Sequence, residues 1–131
     1  MDEAAEILAR LNGLYGSSFS PQGKVFLRGE KLFLHTGDGT RLPVDWVGVH
    51  IANRDMSLTI EGAQLLGKTA SKNVVQITDS AARAYYLGED VPGPGEGPVI
   101  VSSARLGAIG PGFASCGTVG NLLPPSRRTR R

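Results

Sequence analysis

Cysteine is almost missing from this 131-residue chain: one residue, Cys116, leaves no internal disulfide framework and no cysteine-based zinc cluster. Long apolar runs are missing too. The longest, such as Val99-Ile100-Val101, are strand-sized, far short of the roughly 20 residues that span a bilayer. The first residues, Met1-Asp2-Glu3, are acidic where a secretory signal is basic, and no apolar stretch follows them. Together these absences set the expectation of a reducing cytoplasm and no membrane partner. Acids also run out. After Glu96 there is none, while Arg105, Arg127, Arg128, Arg130 and Arg131 add five positive charges. A net charge of +2 therefore hides a near-neutral body with one basic end, the electrostatic footprint expected for a polyanion. A basic end can also serve only to solubilise a terminus.

What is present reads as one domain with apolar and charged fractions typical of a globular fold. The first segment has helix grammar: Asp2 as N-cap, Glu3 and Glu6 on the positive end of the helix dipole, Gly13 as a stop. Ala4, Ile7, Leu8, Leu11 and Leu14 form its apolar stripe. From Lys24 the period falls to two. Residues 24–27 and 31–35 flank Arg28-Gly29-Glu30 as a hairpin, and Gly37-Asp38-Gly39 marks another turn. Residues 44–51 alternate, with Val47, Val49 and Ile51 on one face and Trp46, Gly48 and His50 on the other. Further strands are expected at 58–60, 73–77, 98–102 and 105–109, with a short one near 116–119. A second helix, capped by Thr78 or Asp79 and closed by Gly88, precedes a Pro/Gly loop at 92–97. Helices are too few for a doubly wound parallel sheet. The expected class is α+β, β-rich, as a compact or partly open barrel.

One motif is misleading. Gly62-Ala63-Gln64-Leu65-Leu66-Gly67-Lys68-Thr69 matches the phosphate-binding pattern G-x-x-x-x-G-K-[ST] letter for letter. That loop needs a helix directly after it, yet only Ala70, Ser71 and Lys72 separate it from the strand at 73–77. Leu65 and Leu66 suit a core better than a phosphate nest, and no later strand ends in a magnesium-binding Asp. No nucleotide cofactor is expected. Other constellations are equally thin. His35 and His50 sit in strands without partner motifs. Cys116 has no basic neighbour to activate it. Asp45 and Asp55 are not spaced as a catalytic carboxylate pair. The glycines of residues 107–112 run into Pro111 and not into a helix. No catalytic residue, metal or cofactor is expected, and the chain is read as not an enzyme.

The second half resembles a known module. The Gly62–Gly67 segment, the stretch from Lys68 to Ile77, the helix ending Tyr86-Leu87-Gly88-Glu89-Asp90, the strands at 98–102 and 105–107, and the ending Asn121-Leu122-Leu123-Pro124-Pro125-Ser126-Arg127-Arg128 are similar to the PUA-like RNA-binding domain at the C-terminus of many RNA cytosine-5 methyltransferases. Gly120 stands where that family usually has Lys, and Pro125 replaces another frequent Lys. The methyl-donor-binding segment and the Pro-Cys catalytic motif are absent, so the resemblance implies a pseudobarrel and RNA binding without methyl transfer. It divides the chain into residues 1–61, a helix and β-hairpin like those preceding such modules in archaeal and ribosome-biogenesis proteins, a PUA-like domain at 62–126, and a basic tail at 127–131.

Lys68, Lys72, Arg105, Arg127 and Arg128 are the expected phosphate contacts, and Asn73 and Asn121 the groups that could read base edges or ribose hydroxyls. Of the adjacent Tyr85 and Tyr86, at most one faces the core, which leaves the other to stack on a base. The expected function is docking of structured tRNA or rRNA, beside a separately encoded modification enzyme or in ribosome assembly. The alternative is an adapter whose basic tail meets an acidic protein.

Overall fold

The computed structural model describes residues 2–21, 23–35 and 48–129. Among these the fold is α+β and β-rich, with three α-helices and eight strands in two sheets. Helix α1 spans Glu3–Tyr15, and the Asp2 carboxylate accepts from the Ala5 N–H at 2.8 Å. It runs past the expected stop at Gly13. Gly16 ends it instead, because it takes the left-handed conformation (φ 56°) that lets its N–H close on the last turn.

Strands β1 (Lys24–Arg28), β2 (Lys31–His35) and β3 (Val49–Asn53) form an antiparallel sheet in that order. The expected turn at 37–39 and the first residues of the expected 44–51 strand lie outside the described residues. Alternation along β3 breaks between its pairings with Phe33 and Leu32, where Ile51 is an extra residue. Ile51 and Ala52 are consequently both buried, while Val49 is exposed.

The strand expected at 58–60 does not form. Leu58 makes one bridge to Ala52, then Thr59 accepts from the Gly62 N–H and starts helix α2 (Ile60–Gly67). Ile60, Ala63 and Leu66 are buried at helical spacing, and that periodicity with a threonine cap outweighs the short alternation read from the sequence. The expected division between residues 61 and 62 therefore lies inside α2.

Strand β4 (Val74–Ile77) leads into helix α3 (Asp79–Tyr86), whose cap is Thr78. Strands β5 (Val91–Pro92), β6 (Gly97–Ser103), β7 (Gly107–Ser115) and β8 (Thr118–Asn121) complete a sheet ordered β4-β6-β7-β8-β5. The β4–β6 pair is parallel and the others antiparallel. Arg105, expected to open a strand, instead sits in the tight β6–β7 turn, and Val91–Pro92, partly within the expected loop, pair with β8. One core joins α1, the first sheet, α2 and Ile100; the other lies between α3 and the larger sheet. This architecture is consistent with a pseudobarrel carrying an N-terminal helix. Among the described residues, no helix is long and apolar enough to cross a membrane.

Candidate functional site

The letters that match a phosphate-binding loop have a packing explanation. Gly62 and Gly67 lie on α2, where a Cβ on Gly62 would stand 1.9 Å from the Ile51 carbonyl oxygen and one on Gly67 would stand 2.3 Å from the Ala108 Cβ. They are points of close approach of α2 to β3 and to β7. The Gly62 and Ala63 N–H groups are spent on Thr59, in the helix cap and its first turn. A helix fills the motif and β4 follows it, so these residues do not form the cradle of free N–H groups that phosphate needs.

Helix α3 presents a more open surface. Asp79, Ala82, Arg83 and Tyr86 recur at i, i+3, i+4 and i+7 and line one groove of about 520 Å³ with Leu87, Arg105, Leu106 and Thr129. A neighbouring groove of about 560 Å³ continues over Lys68, Gln64 and Ala108, and shares Tyr86 and Leu106 with the first. The two adjacent tyrosines divide as helix geometry requires. Tyr85 is fully buried, its phenol donating to the Pro111 carbonyl at 2.6 Å. Burial pushes that phenol's pKa well up, with the neighbouring Tyr86 adding to the rise. Tyr86 is half-buried and lies between the grooves, its pKa raised by desolvation alone. Lys68, Arg83 and Arg105 are exposed around it, against one acid, Asp79.

Of the expected contacts, this surface gathers Lys68 and Arg105 only. Lys72 and Asn73 lie at the end of α1. That helix has no basic residue in its last turn, and the segment from Ser71 to Asn73 satisfies its carbonyls. Ser71 and Lys72 donate their backbone N–H groups to Tyr15, and the Asn73 amide donates to Leu14 at 2.8 Å. Asn121 is spent likewise. Its amide donates to the Tyr85 and Glu89 carbonyls at 2.7 and 3.0 Å, and its oxygen accepts from the Leu123 N–H at 2.8 Å.

Arg127 pairs with Glu61 at 2.9 Å. Burial pushes the Glu61 carboxyl up, but the Arg127 hydrogen bond and charge, with Glu61's own backbone hydrogen bond, leave it below its ordinary pKa. Arg128 donates from Nε to the Leu123 carbonyl and lies over Gly88, whose φ of 93° and missing Cβ admit it. The Thr129 N–H donates to the Tyr86 carbonyl, tying this segment to α3.

Arg83 was not foreseen from the sequence. The available signal was its place beside Ala82 in the stripe from Asp79 to Tyr86. Among the described residues, no three His, Cys, Asp or Glu side chains group as metal ligands. The arrangement can attract anions and offer a flat aromatic ring. Compared with known proteins, the chain matches no protein-family model and no curated protein at a significant level.

Proposed function

We propose that this chain is a non-catalytic RNA-binding protein that docks structured RNA, tRNA or rRNA, across the surface around Tyr86. The carrying observation is that surface: two grooves share Tyr86 and Leu106 and are rimmed by Lys68, Arg83 and Arg105. Three cations beside a half-buried ring suit a ligand with repeated phosphates and a base or ribose to lie on the ring. The PUA-like resemblance of the second half supports the same reading, as does the excess of arginine after Glu96. A place in RNA modification or ribosome assembly follows from that resemblance, and a cytoplasmic location from the scarcity of cysteine. Recognition rests on phosphate spacing and shape, since Asn73 and Asn121 are engaged with the backbone. The adapter reading gains less, because Arg127 and Arg128 turn back onto the body.

The test is binding of total tRNA and of rRNA fragments at two salt concentrations. The intact chain is compared with a Lys68→Gln, Arg83→Gln, Arg105→Gln variant and with an Arg127→Gln control. The reading expects the triple variant to lose affinity and to flatten the log–log salt dependence by about 2 to 3, one counterion per lost contact. The control should change little. Equal binding by parent and triple variant would refute this surface, and no binding at low salt would refute RNA docking.

A further inference from the structure

Ser102 and Ser103, neighbours at the end of β6, are the buried polar residues of the described chain. Only one of the two hydroxyls is used by the fold. The Ser103 Oγ accepts from the Leu106 N–H at 3.1 Å and pins the β6–β7 turn. Among the described residues the Ser102 hydroxyl has no hydrogen-bond partner, although the residue is only 7% exposed. No fully enclosed side-chain polar atom is left without a partner among these residues, so this hydroxyl keeps its access to water. Its outlet is the groove of about 560 Å³ that Ser102 lines with Gln64, Lys68, Tyr86 and Ala108.

Strand register explains how a serine comes to lie there. Ile100 and Ser102 share a face of β6, Ile100 packs into the core that α2 covers, and Ser102 stands opposite Ala108. A Cβ on Gly67 would be 2.3 Å from the Ala108 Cβ and 3.4 Å from the Ile100 side chain, so the last residue of α2 closes on this face without a side chain of its own. Val101 pairs with Gly110 and Ser102 with Ala108, which makes Ile109 an extra residue in β7. The Ile109 side chain enters the core under α3. Its carbonyl is met by the Gln64 amide at 3.5 Å, the long limit of a hydrogen bond, so little holds Gln64 there against a ligand. The recess thus has a neutral floor, and its hydroxyl and amide can each donate and accept. The charge that lines it, among the described residues, is Lys68, exposed at the rim.

A phosphate on that floor would lose its hydration with no cation beside it. A nucleobase suits the floor better: it is neutral, and its edge carries donors and acceptors, while its own phosphate stays at the rim. A base held in a helix cannot bring its edge below the protein surface, but one swung out of the stack can. We infer that this recess takes one unpaired base of the docked RNA, with its edge on the Ser102 hydroxyl and the Gln64 amide and its adjoining phosphate on Lys68. The inference rests on the RNA-docking reading and adds a base contact to it. The preferred ligand is then a structured RNA with a bulge or loop nucleotide, not an uninterrupted duplex.

The experiment titrates fluorescein-labelled RNA hairpins into the full-length parent and a Ser102→Ala variant. The hairpins share one stem and carry a single bulged nucleotide, with each of the four bases in turn. A fifth has an abasic nucleotide at the bulge, and a sixth is fully paired. The abasic hairpin keeps the sugar, the phosphate and the flexibility of the bulge, so it isolates the base. The parent should bind the best base-bearing bulge at least about fivefold more tightly than the abasic one, as two neutral hydrogen bonds allow. Ser102→Ala should narrow that gap by about two- to tenfold, the share of one such bond. Its Tm should stay close to the parent's, because the hydroxyl bonds to no protein group. Equal affinity of the parent for base-bearing and abasic bulges would overturn the inference, as would a gap that Ser102→Ala leaves unchanged. In both cases the hairpins still bind and RNA docking stands. Failure of the docking reading looks different: no hairpin, bulged or paired, binds at low salt, and the inference falls with it.

Discussion

Replacing Asn121 by alanine separates a structural asparagine from an RNA-reading one. The side chain makes three hydrogen bonds to backbone groups of three segments: the end of α3, the turn after it, and the stretch that follows β8. A net contribution of about 0.5–1.5 kcal/mol per bond would give about 3 kcal/mol at the midpoint. Two facts pull that figure down. Asn121 is only half-buried, and the bond to Glu89 lies at an exposed site, so water replaces part of what is lost. About 2 kcal/mol is the expected loss, or a fall in Tm of roughly 6–12 °C for a domain of this size. Asn121→Asp should be worse, since both amide donors vanish and a carboxylate faces two carbonyls. The assay is thermal and urea unfolding, followed by RNA titration at a temperature where every variant is folded. Affinity should then stay within about twofold of the parent. A Tm within about 1 °C of the parent, or a tenfold loss of affinity in the folded variant, would refute the structural assignment.

Two further expectations use the same logic. Gly62→Ala should destabilise by about 3 kcal/mol, because a Cβ 1.9 Å from the Ile51 carbonyl must push α2 off β3, and this overwhelms the roughly 1 kcal/mol that alanine gains in a helix. Gly13→Ala, with nothing near its Cβ, should stabilise by about 0.5–1 kcal/mol; urea midpoints that rank the two variants the other way would defeat the packing account of the phosphate-loop match. The Glu61–Arg127 pair gives a pH signature: Glu61 sits below its ordinary 4.5 in the fold, so the pair's contribution is present above pH 4.5 and fades as pH falls through the lowered value. Glu61→Gln should erase that part of the pH dependence in unfolding curves between pH 3 and 6, and an unchanged profile would show that the pair does not couple to folding.

The fold was legible where a local signal agreed with the long-range packing. The Asp2 cap, the hairpin around Gly29, and the Thr78 cap ahead of an alanine-rich turn all form as their residues dictate. Residues 58–60 misled because Leu58 and Ile60 alternate with polar neighbours over three positions, too short a window to tell a strand from a cap followed by a helix. Ile51 could not be placed from alternation, since a bulge adds a residue without leaving a mark in the pattern. Arg105 read as the start of a strand because the β6–β7 turn contains Ala104 and Leu106, both compatible with strands, before Gly107 takes a φ of 72°.

The candidate site was half legible for a reason that applies to polar residues generally. Sequence shows which side chains can contact RNA, but not which have backbone carbonyls within reach. A helix C-terminus without basic residues must find donors elsewhere, and at α1 the donors include Asn73. The chain leaving β8 must be tied to α3, and Asn121 does it. Each was chosen for hydrogen-bonding capacity, the property that makes asparagine useful to the fold. Cations are harder to absorb in this way, since burying a charge is expensive. Lys68, Arg83 and Arg105 accordingly remain exposed around Tyr86, while Arg127 met the carboxylate α2 offers it. In this protein an exposed cation beside a half-buried ring is therefore a better starting point for the proposed RNA surface than an asparagine in a turn.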